Sequence, residues 1–207
     1  MKKKNVFYLI LIALLFVSYP VHSQIKLGFQ IGPNFANVNI ANLSLESKTY
    51  LFGGILAEIK ISDRLYIQPE INFLQKGYFT KPNSFGLQVD HTYNYYEIPI
   101  NVLSKFDVNN FTFFIFAGPS LSFLSKAEII AKHYASYDRY DFTESFEKTD
   151  FSINFGGGAE SPLSNNIDLF IMVRYSLGLT NVFIDDINNS KIYNRGIALA
   201  VGLKFSI

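Results

Sequence analysis

Arg195-Gly196-Ile197-Ala198-Leu199-Ala200-Val201-Gly202-Leu203-Lys204-Phe205-Ser206-Ile207 is the stretch whose reading decides the fold. From Ile197 to Ile207 every odd position is large and apolar, while the residues between them are small, polar or charged. A period of two marks a β-strand, whose successive side chains point to opposite faces. The usual size rule is inverted, however. A strand packed on a protein core turns its bulky face toward other bulky side chains. Here the second face is largely glycine, alanine and lysine, so the bulky face needs a partner of its own. Hydrocarbon is such a partner.

Working outward, the same pattern recurs in seven further segments: 25–35, 49–61, 65–77, 92–106, 111–124, 149–160 and 167–180. The 167–180 segment sets Ile167, Leu169, Ile171, Val173, Tyr175, Leu177 and Leu179 against Asp168, Phe170, Met172, Arg174, Ser176, Gly178 and Thr180. Segments of this length are enough to cross a bilayer as tilted strands. Short polar turns, Ser62-Asp63-Arg64, Asp107-Val108-Asn109-Asn110 and Ser161 to Asn166, alternate with long connections at 36–48, 78–91, 125–148 and 181–194. That asymmetry belongs to outer-membrane barrels, with tight turns in the periplasm and long loops outside. The expected fold is therefore all-β: an eight-stranded antiparallel transmembrane up-and-down barrel with both termini on the periplasmic side. Pro69, Pro99 and Pro119 fall inside strands and predict bulges or bends. Phe114 and Phe116 blur the alternation of their segment. The competitor is a soluble two-sheet sandwich or lipocalin-like barrel, in which the large apolar residues would point inward and the charges outward.

The N-terminus reads as a targeting segment. Lys2, Lys3 and Lys4 precede an apolar run from Val6 to Val17, too short to span a bilayer as a helix, and Val21-His22-Ser23 offers a cleavage site. Residues 1–23 are thus expected to be a signal peptide and residues 24–207 the barrel domain; 207 less 23 leaves 184 residues. There is no Cys, which removes lipid attachment, disulfides and thiolate metal sites. Without Lys2, Lys3 and Lys4 the 18 Lys plus Arg fall to 15 against 17 Asp plus Glu, a balance that argues against nucleic acid as a partner. The 13 Tyr and 21 Phe suit the interfaces and lipid face of a membrane barrel. The expected partners are the lipid bilayer of the cell outer membrane, the barrel-insertion machinery, and a protein reached through the extracellular loops.

Six stretches resemble the PorT-like, "porin family" outer-membrane β-barrel domain of Gram-negative bacteria. They are Gly28-Phe29-Gln30-Ile31-Gly32; Ile67 to Phe73 with Lys76-Gly77; Tyr96-Glu97-Ile98-Pro99-Ile100; Ala117-Gly118-Pro119-Ser120; Phe155 to Glu160; and Arg174 to Asn181. The resemblance implies an outer-membrane barrel and assigns no activity, although some members of that family serve protein secretion and gliding machinery. Barrels read by the insertion machinery often end in an aromatic residue; here the last residue is Ile207, and Phe205 is the nearest substitute.

The inward face carries Glu58, Glu70, Glu97, Glu160 and Asp168 with Lys60, Lys76, Lys105, Arg174 and Lys204. An eight-stranded barrel has an interior that side chains fill, and buried charges must pair. Arg174 near mid-height of its strand is expected to meet Glu70 and Glu97, forming a structural charge cluster that plugs the lumen. A proton or ion path is the alternative. In the longest loop, Tyr134, Tyr137 and Tyr140 are candidate contacts for a partner or surface, against an aromatic collar at the membrane interface. His133, with Ser136 and Asp138 nearby, is the one arrangement that suggests nucleophilic catalysis, and loop composition alone accounts for it. Asp138, Asp141 and Glu144, and Asp185-Asp186 with Asn188 and Asn189, are acidic loops without an EF-hand spacing. Gly156-Gly157-Gly158 is followed by no helix and so makes no phosphate cradle; small residues there make room for bulky lumen neighbours. No catalytic, cofactor or metal residue is assigned. The function expected is a non-enzymatic, plugged outer-membrane barrel whose long loops meet a partner. An accessory part of a secretion or transport machine is the alternative, and a lipid-active enzyme the third reading.

Overall fold

The structure, a computed structural model, describes residues 25–39, 46–79, 87–133, 136–183 and 192–207. The expected signal peptide and Tyr134 lie outside the described residues, as do Asp185, Asp186, Asn188 and Asn189. Nine strands follow one another: β1 (Ile25–Asn39), β2 (Glu46–Lys60), β3 (Leu65–Phe79), β4 (Leu87–Val108), β5 (Phe111–His133), β6 (Ser136–Asp141), β7 (Thr149–Ser164), β8 (Ile167–Gly178) and β9 (Tyr193–Ser206). Eight of them form the wall in the order β4-β3-β2-β1-β9-β8-β7-β5, and β4–β5 pairing closes it. Every pairing is antiparallel. β9 lies against β1, so Leu27 faces Phe205 and Phe29 faces Leu203 across the seam where the ends of the chain meet.

The inverted pattern quoted above is realised around the whole ring. Leu51, Ile55 and Ile115 point outward at 58–62% exposure, while Lys204, Arg174, Glu58 and Glu70 point inward at 1–2%. Large apolar groups outside and charges inside is the reverse of a soluble barrel, which removes the lipocalin-like competitor. On β3 the apolar band runs from Leu65 to Phe73, and aromatic pairs mark its rims: Phe73 against Tyr96 at 5.5 Å above, Phe106 against Phe113 at 6.3 Å below. Eight residue steps cover about 26 Å along a strand, close to the ~25 Å height of an outer-membrane apolar band once tilt is allowed for. Above Phe73 the outer face turns polar at once, with Gln75 Nε2 donating to Asn94 Oδ1 at 2.8 Å.

The two phenylalanines that blurred the pattern of β5 are lumen residues. Phe114 faces Gly158 and Phe116 faces Gly156 across the β5–β7 ladder. A Cβ on Gly158 would stand 2.5 Å from the Phe114 ring, and one on Gly156 2.8 Å from the Phe116 ring. The glycine run is the space into which these rings fit.

Three expectations are corrected. Pro69, Pro99 and Pro119 do not shift the ladder: pairing lapses beside them and resumes in the same register, as from Pro69–Ile100 to Asn72–Glu97. Each lacks one N–H, and neighbouring bonds hold the register. The register shifts lie elsewhere, between Ser47 and Phe52, Asn94 and Tyr95, and Pro162 and Ser164. Residues 125–148 are also not a plain loop. β4 and β5 continue well past the apolar band, paired from Asn94–Lys126 to Leu87–His133, and β6 adds a third strand to this extension through Glu128–Asp141 to His133–Ser136. Outside hydrocarbon neither face has to be apolar, so the alternation that reveals a wall strand is missing there. Likewise β7 runs to Ser164 where a turn was expected from Ser161.

Candidate functional site

The lumen is the only interior the barrel has, and its inward side chains arrange in layers. Nearest the short turns, Lys26 Nζ lies 2.6 Å from Asp168 Oδ2. Beside this pair is a closed ring. Lys105 Nζ contacts Glu58 Oε1 at 2.7 Å and Glu160 Oε1 at 2.5 Å, and Lys204 Nζ contacts the second oxygen of each, at 2.5 and 2.9 Å. Each carboxylate oxygen thus has its own ammonium hydrogen. Rings complete the enclosure: Lys105 sits over Tyr66 at 4.6 Å and Lys204 between Phe114 and Phe170 at 5.2 and 4.9 Å.

The middle layer is built on Glu70. It accepts from Arg174 Nη2 at 2.6 Å, and from the amides of Gln30, Gln68, Asn72 and Asn101 at 2.8–2.9 Å. Five charge-assisted bonds hold one carboxylate in place of water. Glu97 is as deeply buried, at 2%, but its contacts are long: 3.9 Å to Arg174 Nη1 and 3.5 Å from Asn154 Nδ2. The structure therefore brings Arg174 to Glu70 tightly and to Glu97 loosely. Lys60, expected inside, stands at the mouth beside Asp63 at 3.9 Å.

Above these, Lys76 Nζ is 3.0 Å from Asp150 Oδ2, which also accepts from Asn194 Nδ2 at 2.9 Å. Asp150 was not singled out from the sequence. The signal was available, since it shares parity with Ser152 and Asn154 on β7. Beyond this layer, Phe146, 3% exposed, packs on Tyr93 at 4.7 Å and Phe183 at 5.4 Å. His91 stacks on Tyr78 at 4.3 Å in the extension, and burial pulls its pKa down to about 4.

On the extension itself, Tyr137 and Tyr140 of β6 are 70% and 51% exposed, and the Tyr140 ring meets Phe142 edge-on at 6.5 Å. Tyr137 and Tyr140 differ in parity and project from opposite faces of the strand. Asp141 is engaged locally: the Thr143 hydroxyl and amide donate to its Oδ1 at 2.6 and 2.9 Å and hold its carboxyl below the usual range. Among the described residues no group of three His, Asp or Glu gathers as metal ligands. The His133 and Ser136 side chains, and with them the expected His133, Ser136 and Asp138 arrangement, lie outside what is described.

Comparison with known proteins follows the geometry. Residues 9–205 match the model of a family described as "Outer membrane protein beta-barrel domain". Among solved structures, Neisserial surface protein A is 17% identical, with a TM-score of 0.53 over 87% of this chain and 97% of its own. A major outer membrane protein from Thermus thermophilus is 12% identical, with a TM-score of 0.55 over 90% and 100%. At these identities the likeness is one of fold. No curated protein matches the chain.

Proposed function

Since the chain belongs to the outer membrane protein beta-barrel domain family and resides in the outer membrane, we propose that it is a non-enzymatic, closed barrel that presents its extracellular extension to a partner or surface. Within the family we place it among the PorT-like barrels, on the six stretches quoted above. Closure is supported by the three charged layers and the packed Phe146 beyond them, which leave little room for a conducting column in a barrel of this strand number. The observation that carries the partner reading is the placing of Tyr137, Tyr140 and Phe142 on the extension. Tyr140 pairs with Ile129, six residues beyond the outermost wall aromatic of β5, Phe123. Six steps are about 20 Å along the strand, so at barrel tilt the ring stands well above an interfacial collar. Exposed aromatic residues so far from lipid are the usual anchors of a protein contact.

Two measurements test the reading. Purified protein in planar bilayers should show no steady single-channel conductance; a constant open level would overturn the plug. Excising residues 130–145 should abolish attachment of cells to the surface or partner they normally bind, with heat-modifiable mobility of the barrel retained. Unchanged attachment would overturn the extension as the contact.

A further inference from the structure

We propose that the lumen binds one small monovalent cation through oxygen ligands beside Glu97, between the Arg174 and Lys76 layers. The inference stands apart from the partner reading and rests on three observations about the wall formed by β4, β5 and β7.

The first is charge. In the layer near the short turns, Lys26, Lys105 and Lys204 balance Asp168, Glu58 and Glu160. In the two layers above, among the described residues, Glu70, Glu97 and Asp150 face Arg174 and Lys76. One negative charge is left over, in a place from which water is largely excluded.

The second is where that charge falls. Arg174 is committed to Glu70 at 2.6 Å and Lys76 to Asp150 at 3.0 Å, which leaves Glu97 with its contacts at 3.5 and 3.9 Å. A buried carboxylate so weakly held needs a further counter-charge.

The third is a set of unpartnered oxygens beside it. The hydroxyls of Ser120, Ser122 and Ser152, Asn154 Oδ1 and Asp150 Oδ1 are buried and have no hydrogen-bond partner, on side chains no more than 1% exposed. The ladder puts them together: Glu97, Ser122 and Asp150 form one row across β4, β5 and β7, and Ser120 and Ser152 are paired in the next inward row. Directly opposed residues on one face stand about 5 Å apart at Cβ, so these side chains share one small stretch of the lumen wall. Buried polar atoms in a native lumen do not stay unmet. Oxygens that accept call for a donor or a cation, and the surplus carboxylate selects the cation. A single charge is enough, because a divalent ion would overshoot the surplus, and no cluster of three His, Asp or Glu is present among the described residues to hold one. Hydroxyl, amide and carboxylate oxygens are suitable ligands for a hard alkali cation.

The test uses the full protein purified from membranes into detergent, with the midpoint of heat-modifiable mobility read in potassium chloride and in choline chloride at equal ionic strength. Potassium should raise the wild-type midpoint by about 5 °C relative to choline, which is too large to enter the site. Glu97→Gln should abolish the difference and, in choline, be at least as stable as wild type. Ser122→Ala with Ser152→Ala should reduce the difference while keeping Glu97. Crystals grown with rubidium should show an anomalous peak between Glu97 and Ser122. Equal wild-type midpoints in the two salts would overturn the proposal, as would a potassium effect that persists in Glu97→Gln. A protonated-carboxyl infrared band that disappears in Glu97→Gln would show a proton in place of the cation and overturn it equally.

Discussion

The ring of Lys105, Lys204, Glu58 and Glu160 and the group around Arg174 lie in the same lumen at similar burial, yet they solve the cost of buried charge differently. In the ring every carboxylate oxygen meets an ammonium within 3 Å and the charges cancel. Around Arg174 one carboxylate is saturated by five donors and the other is nearly bare. Charge balance within a layer lets the ring stand on its own side chains, and imbalance creates a place for something not encoded in the chain.

The sharpest way to break this comparison is to remove the same group from both sides. Glu58→Gln leaves two buried ammoniums to share Glu160 and should destabilise the barrel by about 3–5 kcal/mol in urea unfolding from lipid vesicles. A cost below that of the matching change at Glu97 would invert the comparison. Next in size, Gly158→Val drives a side chain against the Ile171 carbonyl and into the Phe114 ring that roofs Lys204, and should cost about 1–3 kcal/mol, with Phe114→Leu recovering only the ring's share. Glu97→Gln in choline should equal wild type or exceed it by up to about 1 kcal/mol, since it gives up only long contacts and removes a buried charge.

The smallest effects belong outside the membrane. Tyr140→Ala should leave barrel unfolding within about 0.5 kcal/mol of wild type while weakening partner attachment. His91 carries the pH dependence of the extension. Burial holds its folded pKa near 4, below the ordinary 6.5, so the unfolded segment takes up a proton first as pH falls. Protection of the extension's amides in hydrogen exchange should be full above pH 6.5 and decline from there toward pH 4, and His91→Phe should flatten that decline. Protection that instead rose on acidification would contradict the buried neutral ring.

Parity made the wall legible. Glu70 and Arg174 were readable as a pair because both fall near mid-strand on the inward face, and their strands stand on opposite walls. The ring was not, because Glu58, Lys105, Glu160 and Lys204 lie toward strand ends, where the stagger between neighbours decides the height at which each side chain arrives. The extension escaped because β4 before Asn94 and β5 beyond Ser125 lie outside hydrocarbon, where neither face has to be apolar and the alternation is lost. The prolines misled in the other direction: a missing N–H is visible in the sequence, but whether the ladder slips or simply skips one bond depends on its neighbours.

The sequence by itself determined a ring of alternating strands with one bulky face and one small or charged face, because a period of two is legible residue by residue and the inverted sizes call for hydrocarbon as the partner. Only the tertiary structure decided which charge meets which. Lys204 and Glu58 are 146 residues apart and Lys26 and Asp168 142 apart, and closing the ring of strands with one particular stagger is what brings them to the same height.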